Sequence, residues 1–324
     1  MLADQTSSKY NSFMKLIQQH RVGACHADRR LDQTLALLLP EYSRSKIQLW
    51  IREGFIRLNG QPCKPRQKVY VNDLIDLDVP AVNHLSDPAQ AIEFDILYAD
   101  DDIFVVNKPA GLVVHPAAGH ADGTLVNGLL NIDARLKQVP RAGIVHRLDK
   151  DTTGVMVVAR HLQAHYCLVD QLQQRLIKRE YVAVTQGVVT AGRSIETKIV
   201  RHPVNRKKMT VSATGKTAIT HFQVAKKFQY HSLINVQLET GRTHQIRVHL
   251  AHIRHPLLGD PVYGGRERIP AGITPELADL IHRFGRQALH ARRLQFMHPT
   301  SAQACQFEAD IPTDLQTLLD ALDA

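Results

Sequence analysis

The sequence predicts an α+β fold: a small helix-pair-plus-hairpin domain, then a larger domain with a mixed, largely antiparallel sheet flanked by helices. Three observations lead there. The 324 residues suggest about two domains. From Glu93 onward, strand and helix patterns intermingle without the regular βαβ repeat of a doubly wound sheet. Between them, residues 81–92 carry Asn83, Ser86, Asp87 and Pro88, the composition of a linker.

Taken in order, residues 1–28 are expected to be irregular, except that Tyr10, Phe13, Met14 and Ile17 have the spacing of one short amphipathic helix. Residues 29–80 form the small domain. Leu31, Leu35 and Leu38 mark a first helix ending at Pro40; Ser43 caps a second that carries Ile47, Trp50 and Ile51 and stops at Gly54. Phe55 to Leu58, the Asn59-Gly60 turn and Gln61 to Cys63 read as a hairpin, and Val69, Val71 and Leu74 to Leu77 supply another strand. In the large domain, residues 93–324, strands are expected at Ile103 to Asn107, Val155 to Ala159, Tyr181 to Val184, Ile195 to Val200 and Ser232 to Leu238. Leu162, Tyr166, Val169, Leu172 and Leu176 mark a helix between two of them.

Charge narrows the partner. With 40 Lys and Arg against 31 Asp and Glu, the net charge of +9 favours an anionic partner such as nucleic acid or a membrane surface. No apolar run approaches the roughly 20 residues of a membrane span, and the N-terminus lacks the apolar core of a signal peptide, so a soluble cytoplasmic protein is expected. Arg44, Lys46, Arg52, Arg57, Lys64, Arg66 and Lys68 cluster on the second helix and hairpin as a footprint for phosphates. Arg206, Lys207 and Lys208, with Arg201, form a second basic loop able to track a phosphate backbone. Cys25, Cys63, Cys167 and Cys305 are too dispersed for a zinc or redox motif. His244, His249, His252 and His255 lack a metal-binding pattern and lie among arginines, so no metal is expected. Gly215-Lys216-Thr217 has Thr210 where a phosphate-binding loop needs Gly, which excludes an ATPase.

Two segments carry candidate chemistry. Gly143 to Gly154 places His146-Arg147-Leu148-Asp149 just before Val155 to Ala159, an apolar run that suits a strand buried on both faces. In extended backbone Arg147 and Asp149 point the same way, and an aspartate, ionised at neutral pH, can act as nucleophile or base. An ordinary surface ion pair is the plainer alternative. The second segment runs from the half-buried strand ending at Leu238 into Thr240 to Arg247. Thr243 is expected to cap a helix with a buried stripe of Ile246, Leu250 and Ile253. Its N-terminus, with Arg242 and Arg247, is expected to face an anion, either a ligand phosphate or Asp149.

These residues resemble a known family. Gly143 to Gly154 is similar to the catalytic motif of the RluA-type pseudouridine synthases. Leu238 to Leu250, Asn107 to Pro109 with Leu112 to Pro116, Lys178 to Val184 and Gly259 to Gly265 resemble its other signatures. Residues 30–78 resemble the ribosomal-protein-S-four-type RNA-binding domain that often precedes this catalytic domain. The resemblance implies that Asp149 is the catalytic aspartate, that Arg147 helps displace the target base and that Tyr181 stacks on the flipped uracil. It also implies that Ile246 is an apolar contact to that base and that Arg247 pairs with the catalytic carboxylate. It further implies a monomer, no metal or organic cofactor, and 23S ribosomal RNA or its large-subunit precursor as partner, with targets in the helix 69 stem-loop. Two other readings stay open: the same chemistry on transfer RNA or another ribosomal site, and an RNA-binding protein without catalysis.

Overall fold

The computed structural model describes residues 15–23, 26–39, 42, 44–80, 88–116, 120, 122–265, 270 and 272–324, and the chain divides into two units, 1–86 and 87–324. The first unit is a four-stranded antiparallel sheet under two helices. Its elements are β1 (Lys15–Arg21), α1 (Leu31–Leu38), α2 (Arg44–Arg52), β2 (Ile56–Leu58), β3 (Gln61–Pro62) and β4 (Leu74–Pro80), with strand order β1-β4-β2-β3. Leu31 and Leu35 of α1 meet Ile47, Trp50 and Ile51 of α2 above Ile56, Ile75 and Leu77 of the sheet. The Asp32 carboxylate lies inside this packing and accepts hydrogen bonds from Arg30, Arg44 and Gln48. Burial pushes that carboxyl up, but the three donors outweigh it and the net direction is down.

Two expectations need correcting here. Residues 15–21 are neither irregular nor helical: Ile17 lies in β1, opposite Asp78 of β4. The physical reason is that β4, with β2 on its other side, would otherwise expose a seven-residue row of unpaired backbone groups. Tyr10, Phe13, Met14, Pro40 and Ser43 lie outside the described residues. Val69 and Val71 fall in the connection before β4 rather than in a strand.

The second unit contains β5 (Asp95–Ala99), β6 (Ile103–Lys108), α3 (Leu125–Ile132), β7 (Thr153–Ala159), α4 (Leu162–Gln173), β8 (Lys178–Gln186), β9 (Arg193–Arg201) and β10 (Met209–Val211). Then follow β11 (Lys216–Lys227), β12 (His231–Leu238), α5 (Gln245–His252), α6 (Pro275–Phe284), β13 (Leu289–Met297), β14 (Ala304–Glu308) and α7 (Thr313–Asp323). The strands form one ten-stranded sheet in the order β10-β9-β11-β12-β8-β13-β7-β6-β5, with β14 added beside β13. Every pairing is antiparallel except β13 with β7. No helix among the described residues is long and apolar enough to cross a membrane.

β7 is buried along its whole length because both faces are covered. Met156 and Val158 point into a core shared with Leu129 and Leu130 of α3, whereas Val155, Val157 and Ala159 point into one shared with Ala164 and Leu168 of α4. Where β7 meets β13, Gly154 has φ 115°, and a Cβ there would stand 2.1 Å from the Ala291 carbonyl oxygen. Only glycine fits. The loop before β7 is thus tied to a strand buried on both faces.

Candidate active site

The loop entering β7 is fixed from below by Lys108, the last residue of β6. Its buried ammonium donates to the carbonyls of Pro109, Leu112 and Lys150 at 2.7, 2.9 and 2.8 Å. Burial pushes this group down to about 7, against the opposing pull of Asp151 and Asp149. His146 holds the loop from the side, its Nε2 accepting the Val157 N–H of β7 at 3.1 Å. That leaves Leu148 buried and Asp149 turned into a cavity of about 810 Å³.

Arg147, Asp149, Tyr181, Arg242, Ile246 and Arg247 all line this cavity. Asp149 is 16 % exposed and its Oδ2 accepts a hydrogen bond from Arg247 Nη1 at 2.9 Å. The partner is therefore an arginine 98 positions away, not the neighbouring Arg147. Arg247 is held in turn by Asp260, whose two oxygens take its Nε–H and Nη2–H at 2.8 and 2.9 Å. Asp260 also accepts the backbone N–H groups of Val262 and Tyr263. Burial disfavours the Arg247 cation, but Asp260 and Asp149 outweigh it and raise its pKa. Tyr181, on β8, is buried; burial drives its phenol up, with Asp149 adding to that and Arg179 opposing it.

The start of α5 differs from expectation. The helix begins at Gln245, preceded by His244 at the N-cap position in a left-handed conformation (φ 55°) and without a side-chain cap hydrogen bond; Thr243 is exposed and does not cap it. The reason is the Gln245 side chain, which does the capping work for the preceding turn. Its Oε1 accepts from Arg242 N–H and the Thr240 hydroxyl, while Nε2 donates to the Ile219 carbonyl and the Thr220 hydroxyl. His244 is thereby aimed into the cavity: its Nδ1 lies 2.8 Å from the Tyr263 hydroxyl and its Nε2 3.9 Å from Asp149 Oδ1. The expected anion beside the helix is Asp149.

The remaining basic residues lie elsewhere. Arg206 and Lys207 are exposed and Lys208 half-buried on the β9–β10 turn, outside the cavity lining. Arg44, Lys46 and Arg52 belong to the first unit; Arg44 spends two donors on Asp32, Lys46 lies over the Trp50 ring, and Arg52 donates to Gln48. Asp260, Tyr263, Lys108 and Arg179 are residues of the site and its support that pattern reading did not single out, and His244 entered only as a rejected metal ligand. Asp260 lies within the Gly259 to Gly265 signature, and a buried-looking Asp after Leu257-Leu258 was the available signal. Among the described residues one group has metal-ligand spacing, Asp100, Asp102 and His298, with ligand atoms within 4.8 Å of one another. Its oxygens already accept from Tyr98, His161, His298 and Thr300, tying the β5–β6 turn to the residues after β13.

Comparison with known proteins finds similarity to pseudouridine synthases. Residues 102–252 match the family model described as RNA pseudouridylate synthase, and residues 29–75 match the S4 domain. The chain is 50% identical over 296 residues to the ribosomal large subunit pseudouridine synthase D of Xylella fastidiosa, covering 91% of this chain and 89% of that protein. It is 48% identical over 297 residues to the protein of the same name from Escherichia coli, covering 91% of each. Among solved structures it resembles human RNA pseudouridylate synthase domain containing 4, with a TM-score of 0.54 and 25% identity over 70% of this chain and 92% of that one.

Proposed function

The chain belongs to the RNA pseudouridylate synthase family, enzymes that isomerise uridine to pseudouridine, and on that premise we propose that Asp149 is its essential group and large-subunit (23S) ribosomal RNA, or its precursor, its substrate. We place the target uridines in the helix 69 stem-loop and the reaction in the cytoplasm, by a monomer. The observation that carries the reading is the Asp149–Arg247 pair at 2.9 Å in a cavity shared with Tyr181. The isomerisation breaks the glycosidic bond, turns the uracil and rejoins it through C5, so the base must be held throughout. Leaving the stack costs a few kcal/mol, least in a loop. In this reading Arg147, exposed at the rim, fills the vacated stack, Tyr181 stacks on the extruded base and Ile246 supplies apolar contact. Arg247 fixes the carboxylate that acts on the nucleoside. Arg44, Lys46, Arg52, Arg206, Lys207, Lys208 and Arg242 contact phosphates and set register.

The test is pseudouridine mapping of ribosomal and transfer RNA from cells with and without the gene. Signals that vanish only from the helix 69 stem-loop are expected; loss confined to another RNA would redirect the substrate assignment.

A further inference from the structure

Three arginines among the described residues are nearly inaccessible: Arg179 at 7%, Arg247 at 5% and Arg286 at 6% exposure. Two are neutralised, Arg247 by Asp149 and Asp260, and Arg286 by Asp314. Arg179 has no carboxylate within ion-pair distance among the described residues. Among the described residues its one hydrogen bond runs from Nη2 to the Glu239 carbonyl at 3.2 Å, and its Nε–H, sealed from solvent, has no partner there. The Glu239 carboxylate is already taken by Arg175 and His221. A buried, unpaired cation with a spare donor is costly, and burial accordingly lowers the Arg179 pKa.

The chain makes room for this cost. Arg179 precedes Tyr181 by two positions on β8, so both side chains leave the same face of the strand, and both line the cavity. Gly241 lies opposite; a Cβ there would stand 2.7 Å from Arg179 Nη1. An uncompensated positive charge beside the surface on which the base stacks fits a negative charge that arises only during reaction.

Isomerisation supplies one. The N1–C1′ bond breaks with its electron pair on the base, whose negative charge spreads to the ring carbonyl oxygens. A ring pair then joins C5 to C1′, the proton leaves C5, and N1 takes one up. We propose that the charge of the Arg179 guanidinium, at the cavity wall, stabilises that anion. The assignment rests on Tyr181 and Asp149 flanking the target base, as proposed above.

The test uses the full-length protein and a stem-loop RNA carrying the target uridine, with single-turnover rate, RNA affinity and thermal melting as readouts. Arg179→Met is expected to lower the rate about 100-fold or more, with RNA affinity within about threefold of wild type. It is also expected to melt no lower than wild type, because it removes a buried charge without orphaning a partner. In Arg179→Ala, ethylguanidinium is expected to restore the rate about tenfold and ethylammonium to restore none. A rate within about threefold of wild type, a rate loss matched by lost affinity, or a melting temperature well below wild type in Arg179→Met would each overturn the proposal. If Asp149→Asn abolishes turnover while the Arg179 variants retain it, only this inference falls.

Discussion

At the scale of single residues, the site is a chain of three charges in which the middle one does the positioning. Arg247 joins the carboxylate of Asp149 to the wholly buried Asp260, and the Asp260 geometry is bidentate, so the guanidinium plane is fixed. Asp260→Asn should therefore act on chemistry through Arg247. We expect a single-turnover rate lowered about tenfold or more, and a stability loss of about 3–5 kcal/mol from breaking a buried pair. An unchanged rate in the folded variant would show that Asp149 needs no such support. Asp149, Arg147, Tyr181, Ile246 and Arg247 were legible in the sequence because they sit in long contiguous motifs. Asp260 and Arg179 were not read as functional, because their roles depend on contacts made across the fold rather than on neighbours in sequence.

At the scale of elements, the site stands on β7 and α5, and histidines buried as neutral groups hold both. His249 of α5 lies between the hydroxyls of Thr197 and Thr220, at 2.9 and 2.8 Å, and burial pushes its imidazole down to about 4. In an unfolded chain the same group titrates near 6.5. Between those values the unfolded chain binds a proton that the folded one refuses, so stability is full above 6.5 and falls as pH drops through the window. At pH 5 the loss from one such group is about 2 kcal/mol. Urea unfolding of wild type should weaken from pH 8 to pH 5, and His249→Gln should weaken by about 2 kcal/mol less over the same interval. Equal losses would exclude His249 as a source. Strong patterns such as the β7 run marked elements to within a few residues, whereas β1 escaped notice because its state is set by pairing with β4, about 60 residues later, not by its own spacing. The start of α5 was misjudged for a similar reason: Gln245, reaching to Ile219 and Thr220 of β11, outcompetes the local cap at Thr243.

At the scale of the molecule, the net charge of +9 and the match of residues 29–75 to the S4 domain supply attraction to a polyanion, while the second unit encloses a few groups away from water. The α+β class follows chiefly from the irregular alternation of strand and helix patterns after Glu93. The ten-stranded order did not, because β11, β13 and β14 mix exposed charge with apolar residues and bring together segments far apart in the chain. In the division of labour we propose, many side chains bind RNA and one carboxylate performs the isomerisation, and this gives the central claim its test. The deciding measurement is pseudouridine formation by Asp149→Asn on ribosomal RNA, alongside its RNA affinity. The account predicts no detectable product with affinity within severalfold of wild type, and product formed at the wild-type rate would contradict it.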